Sequence, residues 1–373
     1  MRKSTESVVV SCASPALASS AFVATDCYID NNNKLNNSQE YGFSEDKELS
    51  SKFTPKKKNN ILLHDSYSRL GFYSKARRVS DCGTFLEFAH EISSDGEVSD
   101  VGRLHFANFC RDRLCPMCAW RRSYKIFGQV SQIMDVIYAD YTFLFLTLTV
   151  PNVPAAELPS TLDHLFSSWN RFTGYKKIKK VVKGYFRALE ITYNNKADSF
   201  HPHFHVVLAV PRAYLTNSDY IKRDEWLALW QKACRIESIT QVDIRVCKDK
   251  GSVERRAQTK VARALSSVVA EIAKYSVKDS DYLFPNDSAL TDYLVSTFSN
   301  ALYHRRLAQF GGIFKDVFKA LNLDDAEDDN TDLVHINNNL NPSLAWLICR
   351  YKWNIGVYNF AGSFIESPES HRR

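Results

Sequence analysis

The segment His201-Pro202-His203-Phe204-His205 runs directly into Val206-Val207-Leu208-Ala209-Val210. So dense a run of β-branched and aliphatic residues reads as a strand over His203–Val210. Side chains alternate along a strand, so His203 and His205 share one face and Phe204 takes the other. The fold must therefore bring two imidazoles side by side on a sheet. Two more runs suit the same sheet. Tyr141–Val150 (YTFLFLTLTV) is ended by Pro151-Asn152, and Gly184–Tyr193 (GYFRALEITY) leads through NNKADSFHP, a hairpin-like connection, into the histidine strand. Helices are expected over Ala119–Tyr138, Leu158–Lys180 and Glu254–Val277.

Two imidazoles on one face are half of a divalent-metal site. An oxygen donor completes it if the metal is Mg²⁺ or Mn²⁺. Glu190 is the candidate, because an unpaired carboxylate inside an otherwise apolar strand is costly. His201, on the same face but at the strand start, is the alternative. Further on, Glu271, Tyr275 and Lys278 fall on one helical stripe. It lies beside an apolar stripe, expected to face the core, of Val261, Leu265, Val268, Ile272 and Ser276. A tyrosine phenol ionises near pH 10, so activating it at pH 7 corresponds to roughly 4 kcal/mol. A lysine and a metal ion on a scissile phosphate supply part of that. No GxxxxGK[ST] sequence is present, so nucleotide hydrolysis is not implied.

Three motifs in this order, FLTLTVPN (Phe145–Asn152), HPHFHVVL (His201–Leu208) and EIAKYSVKDSDY (Glu271–Tyr282), resemble those of the HUH endonuclease superfamily. They are most similar to the single-tyrosine initiators of rolling-circle plasmid replication. CRDRLCPMCAWRRS resembles a segment that precedes the first motif in that group. The resemblance runs from about Asp81 to Asp329. It implies an α+β HUH endonuclease fold: a central antiparallel β-sheet, ferredoxin- or RRM-like, with flanking helices and a small Cys-rich, zinc-like segment. It implies metal ligation by His203 and His205, Tyr275 as nucleophile, Glu271 as the base of a terminating cleavage, and Lys278 as the lysine after the tyrosine. The activity implied is a metal-dependent, origin-specific DNA nickase and strand transferase with a 5′-phosphotyrosine intermediate. The implied partners are plasmid origin DNA with a hairpin nick site, a host helicase and a host polymerase, in the bacterial cytoplasm. The rivals are an HUH transposase or relaxase, and a zinc-stabilised DNA-binding repressor without catalysis.

Cys110-x4-Cys115-Pro-x-Cys118 has the spacing of a tetrahedral zinc site with one place left for Cys82 or His105. Among nine cysteines these three crowd together, which suits a metal in a reducing compartment better than disulfides. The chain carries a net charge of +6, compatible with an anionic partner. Arg111, Arg113, Arg121 and Arg122 cluster beside the cysteines, suited to phosphate contact. An acid-free run holds Arg171, Lys176, Lys177, Lys179, Lys180, Lys183 and Arg187, interleaved with Phe172, Tyr175, Tyr185 and Phe186, a pattern for phosphate binding with base stacking.

With 373 residues and 45% apolar content a sizeable core can form. Residues 1–59, rich in Ser, Asn and charge, are expected to be a disordered arm with Lys56–Lys58 solvated. Ser11, Ser14 and Ser19 break the only leader-like stretch. Residues 60–140 are read as the Cys-rich helical segment, 141–285 as the nicking core and 286–373 as a helical extension packing on it. The acidic stretch Asp324–Asp329 is expected to be an exposed loop. No run is long enough to span a membrane.

Overall fold

The structure, a computed structural model, describes residues 22–24, 41–43, 49–247, 269, 273, 277–336, 340–341 and 343–367. In chain order the elements are β1 (Phe22–Ala24), β2 (Tyr41–Phe43), α1 (Thr54–Arg69), α2 (Tyr73–Asp81), β3 (Phe85–Ile92), β4 (Arg103–Ala107), α3 (Pro116–Ile137), β5 (Tyr141–Thr149), α4 (Leu158–Gly174), α5 (Lys176–Val181), β6 (Gly184–Asn194), β7 (Ser199–Pro211), α6 (Arg223–Cys234), β8 (Val242–Val246), α7 (Ser288–Ala301), β9 (Ala308–Gly312), α8 (Ile313–Ala320), β10 (Ala345–Asn354) and β11 (Val357–Glu366). The fold is α+β. Apart from the short β1–β2 pair, the strands form two antiparallel sheets.

The larger sheet has the order β8-β5-β7-β6-β9, with the histidine strand β7 in the middle. Alternation along β7 sorts its side chains. Val207 and Ala209 join Phe143, Phe145 and Phe186 under Ile126, Val130 and Ile133 of α3 and Phe314 of α8. Phe204, Val206 and Leu208 face the other way, onto Leu165, Trp169 and Phe172 of α4 and Trp226 and Trp230 of α6. His203 and His205 continue the first of these faces beyond the apolar cluster. Burying both faces explains why β5 and β7 read as near-continuous apolar runs.

Several expectations are corrected here. The first 59 residues were expected to lack structure, yet α1 begins at Thr54, after a π-helical turn over Leu49–Phe53. Phe53 and Lys57 are buried, Phe53 edge-on to Phe88 and Trp120. The core sheet does not stop at residue 285, because β9 pairs with β6. Nor is the region after 286 a helical extension. β10 pairs with β3 over Ala345–Lys352 and with β11, building a second sheet of order β11-β10-β3-β4. Period-two patterning identifies a strand but not its partner, and here the partners lie more than 250 residues apart in the chain.

The acidic stretch Asp324–Asp329 is a loop with Asp324, Asp328 and Asp329 exposed, as expected, but it is also tied to the body. Gln129 donates to the Asp324 carbonyl at 2.6 Å, and Glu327 accepts from Arg113 at 3.0 Å. The helix expected over Glu254–Val277 lies almost wholly outside the described residues, including Val261, Leu265, Val268, Ile272 and Ser276. Val269, Ala273 and Val277 are described. All three are buried, and the Ala273 N–H donates to the Val269 carbonyl at 2.9 Å. Val269 and Ala273 join the apolar cluster beneath α3. Each of the three is the residue after a position of the expected stripe. Among the described residues no helix is long and apolar enough to cross a membrane.

Candidate metal centres

Register places the first centre. Glu190 of β6 stands directly opposite His203 of β7, with Ala188 opposite His205. Glu190 Oε2 lies 2.8 Å from His205 Nε2 and 3.5 Å from His203 Nε2, and the two Nε2 atoms are 3.2 Å apart. The outer ring nitrogens have partners of their own. His203 Nδ1 is 3.1 Å from the His201 carbonyl, and His205 Nδ1 is 3.2 Å from Thr147 Oγ1 on β5. A carbonyl only accepts, so Nδ1 is the donor of the His203 contact and Nε2 is the ring nitrogen left to face Glu190. The ring of His205 stacks on Phe145 at 5.4 Å. Burial opposes ionisation of Glu190, but hydrogen bonds involving His203, His205 and Lys278 outweigh it and hold the carboxyl well below the usual range.

Inward lone pairs and a carboxylate at such spacing repel one another unless a proton or a cation sits among them. Adjacent ligands of an octahedral ion bonded at about 2.1 Å are roughly 3 Å apart. The Glu190–His203–His205 donor set fits one triangular face of such a shell and leaves the opposite face for waters or substrate. Lys278 reaches in to place Nζ 2.9 Å from Glu190 Oε1. Tyr275 and Glu271 lie outside the described residues. His201 stacks on His203 at 5.0 Å and is not part of the converging donor set.

The second centre gathers Cys82, Cys110, Cys115 and Cys118. Sulfur separations are 3.5 Å for Cys82–Cys115, 3.6 Å for Cys82–Cys118 and 3.7 Å for Cys110–Cys118. A tetrahedral zinc ion with bonds of about 2.3 Å requires edges of roughly 3.8 Å, so the donor set fits zinc. Cys115 caps the start of α3 and Cys118 lies in its first turn, where the helix dipole favours thiolates. The Arg111 N–H donates to Cys118 Sγ at 3.2 Å and the Cys110 N–H to Cys82 Sγ at 3.4 Å. Burial pushes the Cys82, Cys115 and Cys118 thiols well up, whereas hydrogen bonds from Cys115, Cys118 and Cys82 hold Cys110 well down. Of the two candidates for the fourth place, Cys82 at the end of α2 is the one beside the other three. His105 sits on β4, 3.9 Å from Glu366.

The basic residues sort differently from expectation. Arg121 and Arg122 are buried. Arg121 donates to the Leu333 and Val334 carbonyls at 2.8 and 2.9 Å, and Arg122 donates to the Arg111 carbonyl at 3.0 Å. From these buried positions they hold one stretch of chain to another. The sequence suggested the opposite because backbone carbonyls leave no trace in residue identity. On α5, Lys176 and Lys177 are exposed, but Lys177 pairs with Glu225 and Lys180 with Asp219 at 2.6 Å. Acids from another part of the chain thus border the acid-free run. Thr147 and Phe145, which fix His205, were not singled out from sequence. Their position inside the first motif, opposite the histidine strand, was the available signal.

An antiparallel sheet with a three-donor centre at its middle strand, beside a four-cysteine centre, defines an α+β protein with two groups able to hold metal ions. A profile described as "Replication protein" matches residues 101–358. A "Protein rep" of Bacillus amyloliquefaciens is 36% identical over 339 residues, which is 86% of this chain and 97% of that protein. One from Streptococcus pneumoniae serotype 2 is 35% identical over 282 residues, 74% of this chain and 81% of its own. No solved structure matches. The chain belongs to the replication protein family.

Proposed function

We propose that the protein initiates rolling-circle plasmid replication as an HUH endonuclease, nicking one strand of its origin with Tyr275. The observation that carries this reading is the convergence of Glu190, His203 and His205 on one point, in register on the middle of the sheet and with Lys278 beside it. A divalent ion such as Mg²⁺ or Mn²⁺ bound by these three residues would polarise the scissile phosphate. Tyr275 is three residues before Lys278, in a segment whose described positions Val269 and Ala273 lie in the apolar cluster on the histidine face.

The tyrosine oxygen attacks phosphorus, the bond from phosphorus to the 3′ oxygen breaks, and a proton passes to that oxygen. The products are a 5′-phosphotyrosine and a free 3′-OH. One phosphoester replaces another, so no nucleotide hydrolysis is needed. Lys278 supplies positive charge near the developing anion. Glu271 is the base for the hydrolytic cleavage that ends a round. The 3′-OH primes a host polymerase behind a host helicase. Zinc on the four cysteines has a structural role. Lys176, exposed on α5, is a candidate phosphate contact, with Lys177 joining it where DNA displaces Glu225.

The test is cleavage of a supercoiled plasmid bearing the protein's own origin in the presence of Mn²⁺. Wild type is expected to give nicked circles with protein on the 5′ end, and Tyr275→Phe intact supercoils. Equal nicking by both proteins removes Tyr275 as nucleophile. Binding without cleavage by either favours a repressor.

A further inference from the structure

On the sheet face away from the histidines, β6 directs Arg187 into the protein at 2% exposure. Glu190 is an odd number of residues further along the same strand, so the two side chains leave on opposite faces. The guanidinium carbon of Arg187 lies 4.7 Å from the ring centre of Phe166 and 4.5 Å from that of Phe204. One terminal nitrogen donates to the Arg306 carbonyl at a long 3.4 Å, and the buried Nε has no partner among the described residues. Burial lowers its pKa to about 10, so it remains cationic at neutral pH.

A buried cation without a carboxylate is costly. The acids that pair with Arg305, Arg306 and Arg113 are engaged there. Asp163 forms a two-pronged pair with Arg305, each contact 2.9 Å, and Asp325 pairs with Arg306 at 2.7 Å. Glu327 accepts from Arg113 and from the Leu307 N–H, both at 3.0 Å. In front of Arg187 lies a cavity of about 300 Å³, bordered by Asn170, His304, Arg305, Arg306 and Gln309. No carboxylate is among its described lining residues. Amide, imidazole and guanidinium groups around a buried cation match the recognition of an oxyanion.

We propose that this cavity is a second functional site that binds a phosphate group, with Arg187 as its buried charge and Asn170, Gln309 and His304 as hydrogen-bonding groups at its mouth. The group is either a phosphodiester of a bound DNA strand or a free phosphate or nucleotide. The inference does not depend on the metal-centre chemistry, since the two sites occupy opposite faces of β6.

The test uses the full chain and inorganic phosphate, at constant ionic strength with chloride as control. Wild type is expected to melt several degrees higher with phosphate than with chloride. Arg187→Met is expected to lose that rise. Because this variant loses a core side chain, Asn170→Asp is the second arm. It places a carboxylate at the cavity, should raise the melting temperature without phosphate, and should abolish the response to it. The source is read from binding of a single-stranded oligonucleotide at several salt concentrations. A DNA occupant lowers the slope of log affinity against log salt by about 0.7 in Asn170→Asp. An unchanged slope with a lost phosphate response assigns the site to free phosphate or nucleotide. If wild type and Asn170→Asp match in both measurements, the proposal is overturned.

Discussion

The four-cysteine cluster and the Glu190–His203–His205 cluster differ in what they leave over. The cysteines supply four soft donors at tetrahedral spacing, so a zinc ion bound there has no open position. They are gathered from the end of α2, the loop after β4 and the first turn of α3, which makes the site a clamp on otherwise separate pieces of chain. The second cluster supplies three hard or borderline donors from two neighbouring strands already fixed by their ladder. The sheet holds that geometry without help, and an octahedral ion bound there would keep half of its shell for other ligands. Loss of the strand-borne centre is therefore expected to leave the fold intact, and loss of the loop-borne one to undo it.

The largest effect should come from the clamp. Cys115→Ala is expected to lose bound zinc and to cost several kcal/mol of stability, seen as a large fall in melting temperature with zinc content near zero. A variant that melts like wild type without zinc would break the comparison at its structural end. Next, His205→Ala should lower origin cleavage by about 100-fold or more while melting within a few degrees of wild type. Thr147→Val, which removes only the partner of His205 Nδ1, should cost about 10-fold in Mn²⁺ affinity.

The smallest effect concerns the link between the centres. Lys57 of α1 donates to the Cys82 carbonyl at 2.8 Å, and Asn60 Oδ1 lies 3.3 Å from Cys115 Sγ. The same helix holds Asp279, next to Lys278, through Lys56 at 2.8 Å and Asn59 at 2.9 Å. Burial works against the charge on Asp279, but these hydrogen bonds outweigh it and lower its pKa. A carboxylate with a depressed folded pKa contributes stability above its unfolded value, near 3.9, and loses it as pH falls through the folded value. Asp279→Asn should therefore cost about 1 kcal/mol at pH 7, a partly exposed pair being screened. That difference should shrink below about pH 4 in paired melts of the two proteins.

Local chemistry was legible in the sequence and long-range assembly was not. Alternation placed His203 and His205 on one face. The oddity of a carboxylate in an apolar strand picked out Glu190, and the register sets it opposite His203. Three of the four cysteines were visible from their spacing. The fourth place stayed open between Cys82 and His105, because nothing local says that Cys82 at the end of α2 folds onto the start of α3. Arg121 and Arg122 read as DNA contacts because carbonyl partners leave no mark in the sequence: those of Arg121 come from about 210 residues away, and that of Arg122 is Arg111. Arg187 sat in a run of lysines that read as a pattern for phosphate binding with base stacking, whereas the alternation of β6 turns it inward. The pairing of β10 with β3 is of the same kind: a contact between distant segments that residue type does not encode.

The most direct test of two separable centres is a chelation experiment on the full-length protein, in which EDTA is added under mild conditions and origin cleavage, zinc content and melting temperature are followed together. Cleavage is expected to disappear and to return with Mn²⁺, while one zinc per chain and the melting temperature persist throughout. Cleavage that survives removal of the labile metal, or that is lost only in step with zinc and fold, would contradict that separation.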